Sequence, residues 1–262
     1  MINFEFKKSL GQNFLQDDNI IDKIVKYSMI DKDTLVIEIG PGAGALSSKI
    51  IPLSGYTILY EIDTRLREIL DNNLSIYNNY EIIFGDVLKQ DIKKDIEKFN
   101  YKKIYVVANL PYYITTPIIT KVIQEINPDK LVIMIQEEVA DRLCAKVGNR
   151  EYGMITVALG SKYDIKKLFK VGRGCFKPVP NVDSAVISLD KHTKYNIDDE
   201  LVFDKLIKDA FKYKRKNLRN NLKGYDLNKI EKILSKYNFN LNDRAECIPI
   251  EVFVDIANEI NK

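Results

Sequence analysis

A chain of 262 residues, 45% hydrophobic and 29% charged, has the composition of an ordinary folded protein, with room for one larger domain plus a small one. Lys and Arg exceed Asp and Glu by only 40 to 37, so total charge identifies no acidic partner and its distribution has to. Three scattered cysteines (Cys144, Cys175 and Cys247) form no CxxC pair, which argues against a disulfide framework or a cysteine zinc site and suits a reducing compartment. No run approaches the ~20 apolar residues of a membrane span, and the expected setting is the cytoplasm.

Residues 7–15 read Lys-Lys-Ser-Leu-Gly-Gln-Asn-Phe-Leu, ahead of a helical pattern through Ile20, Ile21, Ile24 and Val25. They read as an arm, either frayed or closing over a ligand with Gln12 and Asn13 as polar contacts and Phe14 and Leu15 as apolar ones. Residues 34–39 form a buried-strand pattern running into Gly40-Pro41-Gly42-Ala43-Gly44-Ala45 and a helical stretch at 46–51. A strand, a glycine turn and a helix suit a nucleotide, because glycines admit close backbone approach and a helix start offers free N–H groups. The spacing fits both GxGxG and the GxGxxA dinucleotide form, so the glycines alone leave nicotinamide binding open.

The next strand, 56–60, ends in Glu61, 17 positions after Gly44, where an acid accepts from ribose hydroxyls. A third strand, 81–84, ends in Gly85-Asp86. Asp86 suits an adenine amine and equally suits capping the following helix. A fourth, 104–108, ends in Asn109-Leu110-Pro111-Tyr112: a side-chain amide, an extended proline step and an aromatic ring, a good fit to a planar exocyclic amine. These strand tips align Gly40, Glu61, Asp86 and Asn109 on one carboxyl rim.

A fifth strand, 131–135, precedes Gln136-Glu137-Glu138 and a helix to Ala145; 152–163 reads as a helix, and 165–171 and 185–189 as two more strands. Between those strands lies Phe176-Lys177-Pro178-Val179-Pro180-Asn181-Val182-Asp183-Ser184. Its prolines stiffen it, so Phe176 is either a fixed aromatic plate or a core residue. Residues 190–200 are polar and hold the only histidine, His192, which reads as solvated. Helical periodicity then covers 201–221, 226–237 and 249–260. Within 212–223 six basic residues and no acidic one accompany Tyr213, a pattern suited to phosphate.

With these motifs in order, the sequence resembles the ribosomal RNA adenine N6,N6-dimethyltransferase family, and its small-subunit members most. The resemblance runs through 7–15, Glu-Ile-Gly-Pro-Gly-Ala-Gly at 38–44, Asn-Leu-Pro-Tyr at 109–112, the Phe-Lys-Pro-Val-Pro loop at 176–186, the basic 211–222 stretch and Arg-Ala-Glu at 244–246. It implies a seven-stranded, doubly wound Rossmann-like α/β sheet with an antiparallel last strand, plus a small all-helical C-terminal domain. The expected division is 1–190 for the methyltransferase domain (with 1–15 as arm), 191–200 as linker and 201–262 for RNA binding.

The same resemblance implies S-adenosylmethionine as methyl donor, held by Gln12, Asn13, Leu15, Gly40, Gly42, Gly44, Glu61, Asp86 and Asn109. Asn109, Leu110, Pro111 and Tyr112 would form the catalytic motif, Tyr112 and Phe176 would stack on the substrate base, and Lys212, Lys214, Arg215, Lys216 and Arg219 would meet RNA. The implied substrate is two adjacent adenosines near the 3′ end of small-subunit rRNA, in an immature 30S-type subunit, for a monomeric enzyme. The alternatives are a large-subunit enzyme of the antibiotic-resistance type and a mainly non-catalytic ribosome-assembly factor. Two positions depart from the family: Lys214-Arg215-Lys216 replaces a pair of arginines before a lysine, and Glu137 stands where a lysine is frequent.

Overall fold

The computed structural model describes residues 12–260, so the 7–11 portion of the arm lies outside the described residues. The chain divides into two units, one comprising the chain up to Ala140 with Lys166–Asp190, the other Asp141–Ile165 with the chain from Lys191 onward. Among the described residues no helix is long and apolar enough to cross a membrane.

The first unit begins with a two-residue strand, β1 (Phe14–Leu15), and α1 (Asp18–Ser28). Asp17 caps α1 by accepting from the Asn19 and Ile20 N–H groups, which would otherwise lack partners in the first turn. Then come β2 (Thr34–Ile39), α2 (Ser47–Ile50), β3 (Tyr56–Glu61), α3 (Arg67–Leu74), β4 (Tyr80–Phe84), α4 (Ile92–Ile96), β5 (Lys103–Asn109), α5 (Thr115–Ile126) and β6 (Lys130–Gln136). All six residues of β2 are buried, as expected of a central strand covered on both faces. A helix α6 (Glu137–Leu143) leads through α7 (Met154–Gly160) to β7 (Tyr163–Val171), β8 (Phe176–Lys177) and β9 (Ser184–Lys191).

The main sheet has the order β4-β3-β2-β5-β6-β9-β7. Pairs from β4 to β6 are parallel, and β9 runs antiparallel to β6, with Gln136 opposite Ser184. The chain grows outward from β2 through β3 and β4, then crosses back to place β5 on the other side of β2. That reversal opens a crevice at the carboxyl ends of β2 and β5, where open α/β sheets bind ligands. Gly40 and Asn109 sit at those ends.

A second, two-stranded sheet joins segments for which the sequence carries no local pairing signal. β1 pairs antiparallel with β8, setting Leu15 opposite Phe176 and Phe14 opposite Lys177. Leu15 and Phe176 thereby enter one apolar cluster with Ile21, Ile24, Val107, Met134 and Val186.

In the second unit, α8 (Glu200–Ala210), α9 (Leu218–Asn221), α10 (Leu227–Lys236) and α11 (Ile250–Ile260) surround a core of Phe203, Leu206, Leu218, Ile230, Leu234 and Phe253. Tyr152 and Val157 belong to the same core, and the Tyr152 hydroxyl donates to the Ile248 carbonyl at 3.2 Å. Residues Asp141–Ile165 thus join the helical unit, although a boundary drawn at the polar stretch near 190 assigns them to the first. That polar stretch is itself held, with Tyr195 and Ile197 packed on this core and the Asn258 side chain donating to the Asn196 carbonyl at 2.9 Å. The single helix expected over 201–221 is also divided. Residues 211–217 form a turn, after which Asn217 caps α9 by accepting from the Asn220 N–H at 3.1 Å. The basic cluster Lys212, Lys214, Arg215 and Lys216 is exposed on this turn rather than on a helix face.

Candidate active site

The glycine turn after β2 needs glycine for conformational and steric reasons. Gly40, Gly42 and Gly44 have φ of 73°, 59° and 85°, a region costly for residues with a Cβ. A Cβ on Gly42 would stand 2.7 Å from the Phe14 ring, so the arm lies directly on the turn. Glu61, at the tip of β3 and only 4% exposed, accepts from the Gly42 N–H at 3.1 Å and the Asp63 N–H at 2.8 Å. Burial pushes its carboxyl above the usual range, and these backbone bonds oppose the rise. Each oxygen keeps a second lone pair for a ligand hydroxyl.

Asp63 ties the arm to this rim. The Arg65 guanidinium donates to both carboxylate oxygens, at 2.9 and 2.6 Å, and the Gln12 amide donates to Oδ2 at 2.8 Å. The Arg65 bonds, with help from Gln12, hold the Asp63 carboxyl down at about 2.

At the end of β5, the Asn109 side-chain N–H donates to the Asn13 carbonyl at 3.1 Å. The amide oxygen and the second N–H remain available for a ligand. Leu110 donates its N–H to the Met134 carbonyl, and the Thr115 hydroxyl donates to the Pro111 carbonyl, both at 3.0 Å. The Tyr112 hydroxyl lies 2.5 Å from Ser184 Oγ.

Three adjoining hollows share Gly40. One, beneath the arm, is lined by Gln12, Asn13, Glu61, Asn109 and Tyr112. A second is an apolar slot between Ile62, Val87, Tyr113 and Ile118 with Asp86 at its wall. Asp86 caps the turn that follows by accepting from Leu88 N–H through Oδ1 at 3.0 Å, so the capping role is real and engages one oxygen. The third, behind the glycine turn, is lined by Leu15, Leu46, Asn109 and Glu38.

Glu38 is the residue that sequence reasoning missed. It is 2% exposed and its Oε2 has no hydrogen-bond partner. Burial pushes its carboxyl up to about 8, with the Glu61 charge adding to the rise and the Ser47 hydroxyl opposing it. The available signal was an acid inside the otherwise apolar run of β2, since an unpaired buried carboxylate is expensive unless a ligand compensates it.

Phe176 requires a correction. At 3% exposed it lies in the core cluster with Leu15, because pairing of β1 with β8 turns both side chains inward. Its ring is therefore not presented as a second stacking plate. Glu137 makes no opening for an anion either, since its carboxylate accepts from Lys167 at 3.0 Å and Lys170 at 2.8 Å. Of the basic residues, Arg219 is 3.7 Å from Glu231, while Lys212 stands over the Tyr213 ring at 5.6 Å.

A doubly wound sheet carries, at its switch point, a glycine turn, an acid at each of the next two strand tips and an amide-proline-tyrosine corner. Such a switch point is where doubly wound α/β sheets bind ligands. The family model described as ribosomal RNA adenine dimethylase matches residues 3–262, and the chain belongs to that family. It is 41% identical over 268 aligned residues to the ribosomal RNA small subunit methyltransferase A of Bacillus thuringiensis (strain Al Hakam), covering 98% of this chain and 92% of the relative. The corresponding protein of Bacillus mycoides (strain KBAB4) matches equally, at 41% identity with 98% and 92% coverage. Among solved structures, a dimethyladenosine transferase from Plasmodium falciparum superposes with a TM-score of 0.80 at 26% identity, covering 95% of this chain and 97% of that one. A 23S rRNA methyltransferase shares the fold, with a TM-score of 0.75 at 24% identity and coverage of 95% and 100%.

Proposed function

We propose that this chain transfers methyl groups from S-adenosylmethionine to the exocyclic N6 of two adjacent adenosines near the 3′ end of small-subunit rRNA, giving N6,N6-dimethyladenosine. The observation that carries the reading is the Asn109 amide, which lines the crevice and whose nitrogen donates to the Asn13 carbonyl of the arm. The residues present fit the donor. A buried carboxyl with an unpartnered oxygen (Glu38) suits a cationic group, the Gly40–Gly44 turn admits close backbone approach, Glu61 retains lone pairs for ribose hydroxyls, and the slot beside Asp86 suits a flat base. When bound, S-adenosylmethionine supplies a methyl group on a positively charged sulfur, whose carbon is open to attack by a nitrogen lone pair.

The chain's own task is to prepare that lone pair. In adenine it is delocalised into the ring. Asn109 Oδ1 and the Leu110 carbonyl accept the two amine hydrogens, which favours a tetrahedral nitrogen with a localised pair. Both contacts strengthen as positive charge develops on the nitrogen, so they act more on the transition state than on the bound substrate. Tyr112 stacks on one face of the extruded base, a contact worth roughly 1–3 kcal/mol. The ammonium product is acidic enough to lose its proton to water, so no strong base is required.

The exposed cations Lys212, Lys214, Arg215, Lys216 and Arg219 meet RNA phosphates, and the enzyme acts as a cytoplasmic monomer on an immature 30S-type subunit. Mass spectrometry of small-subunit rRNA from cells with and without the protein tests the proposal. Dimethyladenosine near the 3′ end should vanish with the gene. Its persistence there, with loss from large-subunit rRNA instead, would favour the antibiotic-resistance type, and no change in either would favour an assembly factor.

A further inference from the structure

The Tyr112 ring is half-buried at the mouth of the crevice, and its hydroxyl reaches the first residue of β9. Ser184 Oγ is 2.5 Å away, and Ser184 itself is fully buried. Sheet register sets this meeting. Asn109 lies opposite Met134 in the β5–β6 pair, and two residues further along β6 Gln136 lies opposite Ser184. The corner after β5 therefore brings Tyr112 back over the start of β9.

What precedes Ser184 is unusually well held for a loop end. The Asp183 carboxylate accepts from the Arg173 N–H at 3.1 Å and from Lys170 at 2.9 Å, and the Asp183 carbonyl accepts from the Glu137 N–H at 3.0 Å. Lys170 also reaches the Glu137 carboxylate at 2.8 Å, and Lys167 joins it at 3.0 Å. Two lysines of β7 and two acids thus fasten the end of the 176–184 loop to the start of α6. A single exposed ion pair contributes little, but a lysine shared between two carboxylates restricts geometry more than one pair does.

We propose that Ser184 is a positioning residue for methyl transfer: held by the Glu137–Lys170–Asp183 strap, its hydroxyl fixes the angle of the Tyr112 ring on which the target adenine stacks. This rests on the reading of 109–112 as the catalytic motif. A stacking ring that pivots samples orientations in which the amine is misaligned, and small misplacements at a reacting centre carry large rate costs. The hydroxyl's role here is that of an anchor. Burial pushes the Tyr112 phenol's pKa above its usual range, with the Ser184 hydrogen bond opposing the rise, so Tyr112 stays protonated and able to donate to Ser184.

A double-mutant cycle tests the proposal on the purified full chain, with small subunits from cells lacking the protein as substrate. Tyr112→Phe and Ser184→Ala each remove the hydroxyl pair from one side. Each should lower kcat about three- to tenfold and leave the dissociation constant for S-adenosylmethionine unchanged, and the double variant should fall no further than the worse single one. Multiplying losses would mean that Ser184 acts independently of Tyr112 and would overturn the proposal. So would wild-type kcat in Ser184→Ala while Tyr112→Ala is inactive, an outcome that leaves the catalytic motif intact. Full activity in Tyr112→Ala would overturn both. Thermal melting of each variant separates a folding defect, and Tyr112→Phe, at a half-exposed position, keeps the cycle readable if Ser184→Ala melts early.

Discussion

Asn13 and Asn109 lie 96 positions apart and meet through one hydrogen bond, the Asn109 side-chain nitrogen donating to the Asn13 carbonyl at 3.1 Å. The bond assigns the two ends of the amide different tasks. The nitrogen is anchored on the arm, and in the proposed function the oxygen accepts from the substrate amine. Asn109→Ala removes both and should lower the rate of methyl transfer by about a hundredfold or more, the scale seen when one well-placed group facing developing charge is deleted. Radiolabelled methyl transfer checks this, with melting temperature and RNA affinity expected to stay near wild type. Activity equal to wild type would end the assignment.

Glu38 gives a pH signature. Its carboxyl is raised to about 8 in the folded protein, against an unfolded value near 4.3. The folded state therefore binds more protons than the unfolded state between those values, and this residue makes stability fall as pH rises across that window. A bound cation reverses the preference and favours the carboxylate, so S-adenosylmethionine binding near pH 7 should release a proton. Calorimetric titration in two buffers of different ionisation enthalpy should give different apparent enthalpies for wild type and equal ones for Glu38→Gln. Equal enthalpies for wild type would show that Glu38 does not sense the donor's charge.

Asp63 behaves in the opposite sense. Arg65 and Gln12 hold its carboxyl at about 2, below its unfolded value near 3.9. Its contribution is fully present above pH 4 and disappears as pH falls towards 2. Because Asp63 is only 4% exposed and receives the Gln12 amide, its loss should also loosen the arm. In Asp63→Ala, limited proteolysis should cut earlier near residues 12–16, and donor affinity should drop several-fold. Unchanged cleavage and affinity would show that Gln12–Asp63 does not hold the arm.

The exposed turn at 212–216 is assigned to phosphates, which predicts a salt effect. Replacing Lys214, Arg215 and Lys216 together by alanine removes three cations, each expected to contribute about 0.7–0.9 to the slope of log affinity against log salt. RNA binding measured from low to moderate salt should show a slope shallower by about two to three. The single-turnover methylation rate at saturating RNA should stay near wild type. A slope unchanged from wild type would remove this turn from the RNA interface.

The main sheet was legible because its strands are short apolar runs ending in motifs of unusual chemistry. Thr34–Ile39 before the glycines, Tyr56–Tyr60 before Glu61 and Ile104–Ala108 before Asn109 each mark their own carboxyl end, and each lies within the strand observed. Periodicity and turn chemistry are local properties, so a linear reading reaches them. The helices of the second unit were legible for the same reason, apart from the break at 211–217. There an exposed basic run continues the helical periodicity, and the Asn217 cap decides against it.

Pairing across long separations was decided only by the tertiary structure. The β1–β8 pair sends Phe176 into the core, where composition allowed a plate. The segment Asp141–Ile165 joins the helical unit because Tyr152 and Val157 find their core there, and no local signal records which core an apolar side chain fills. Glu38 and Ser184 gain their significance from what surrounds them: burial without a partner in one case, a tyrosine hydroxyl 72 positions away in the other. The sequence determined which chemical groups stand at the strand ends, since a strand and its turn are written in consecutive residues. Which of those groups touch, and which are withdrawn from solvent, depended on the packing of distant segments, and it is packing that sets the charge state of Glu38 and the angle of Tyr112.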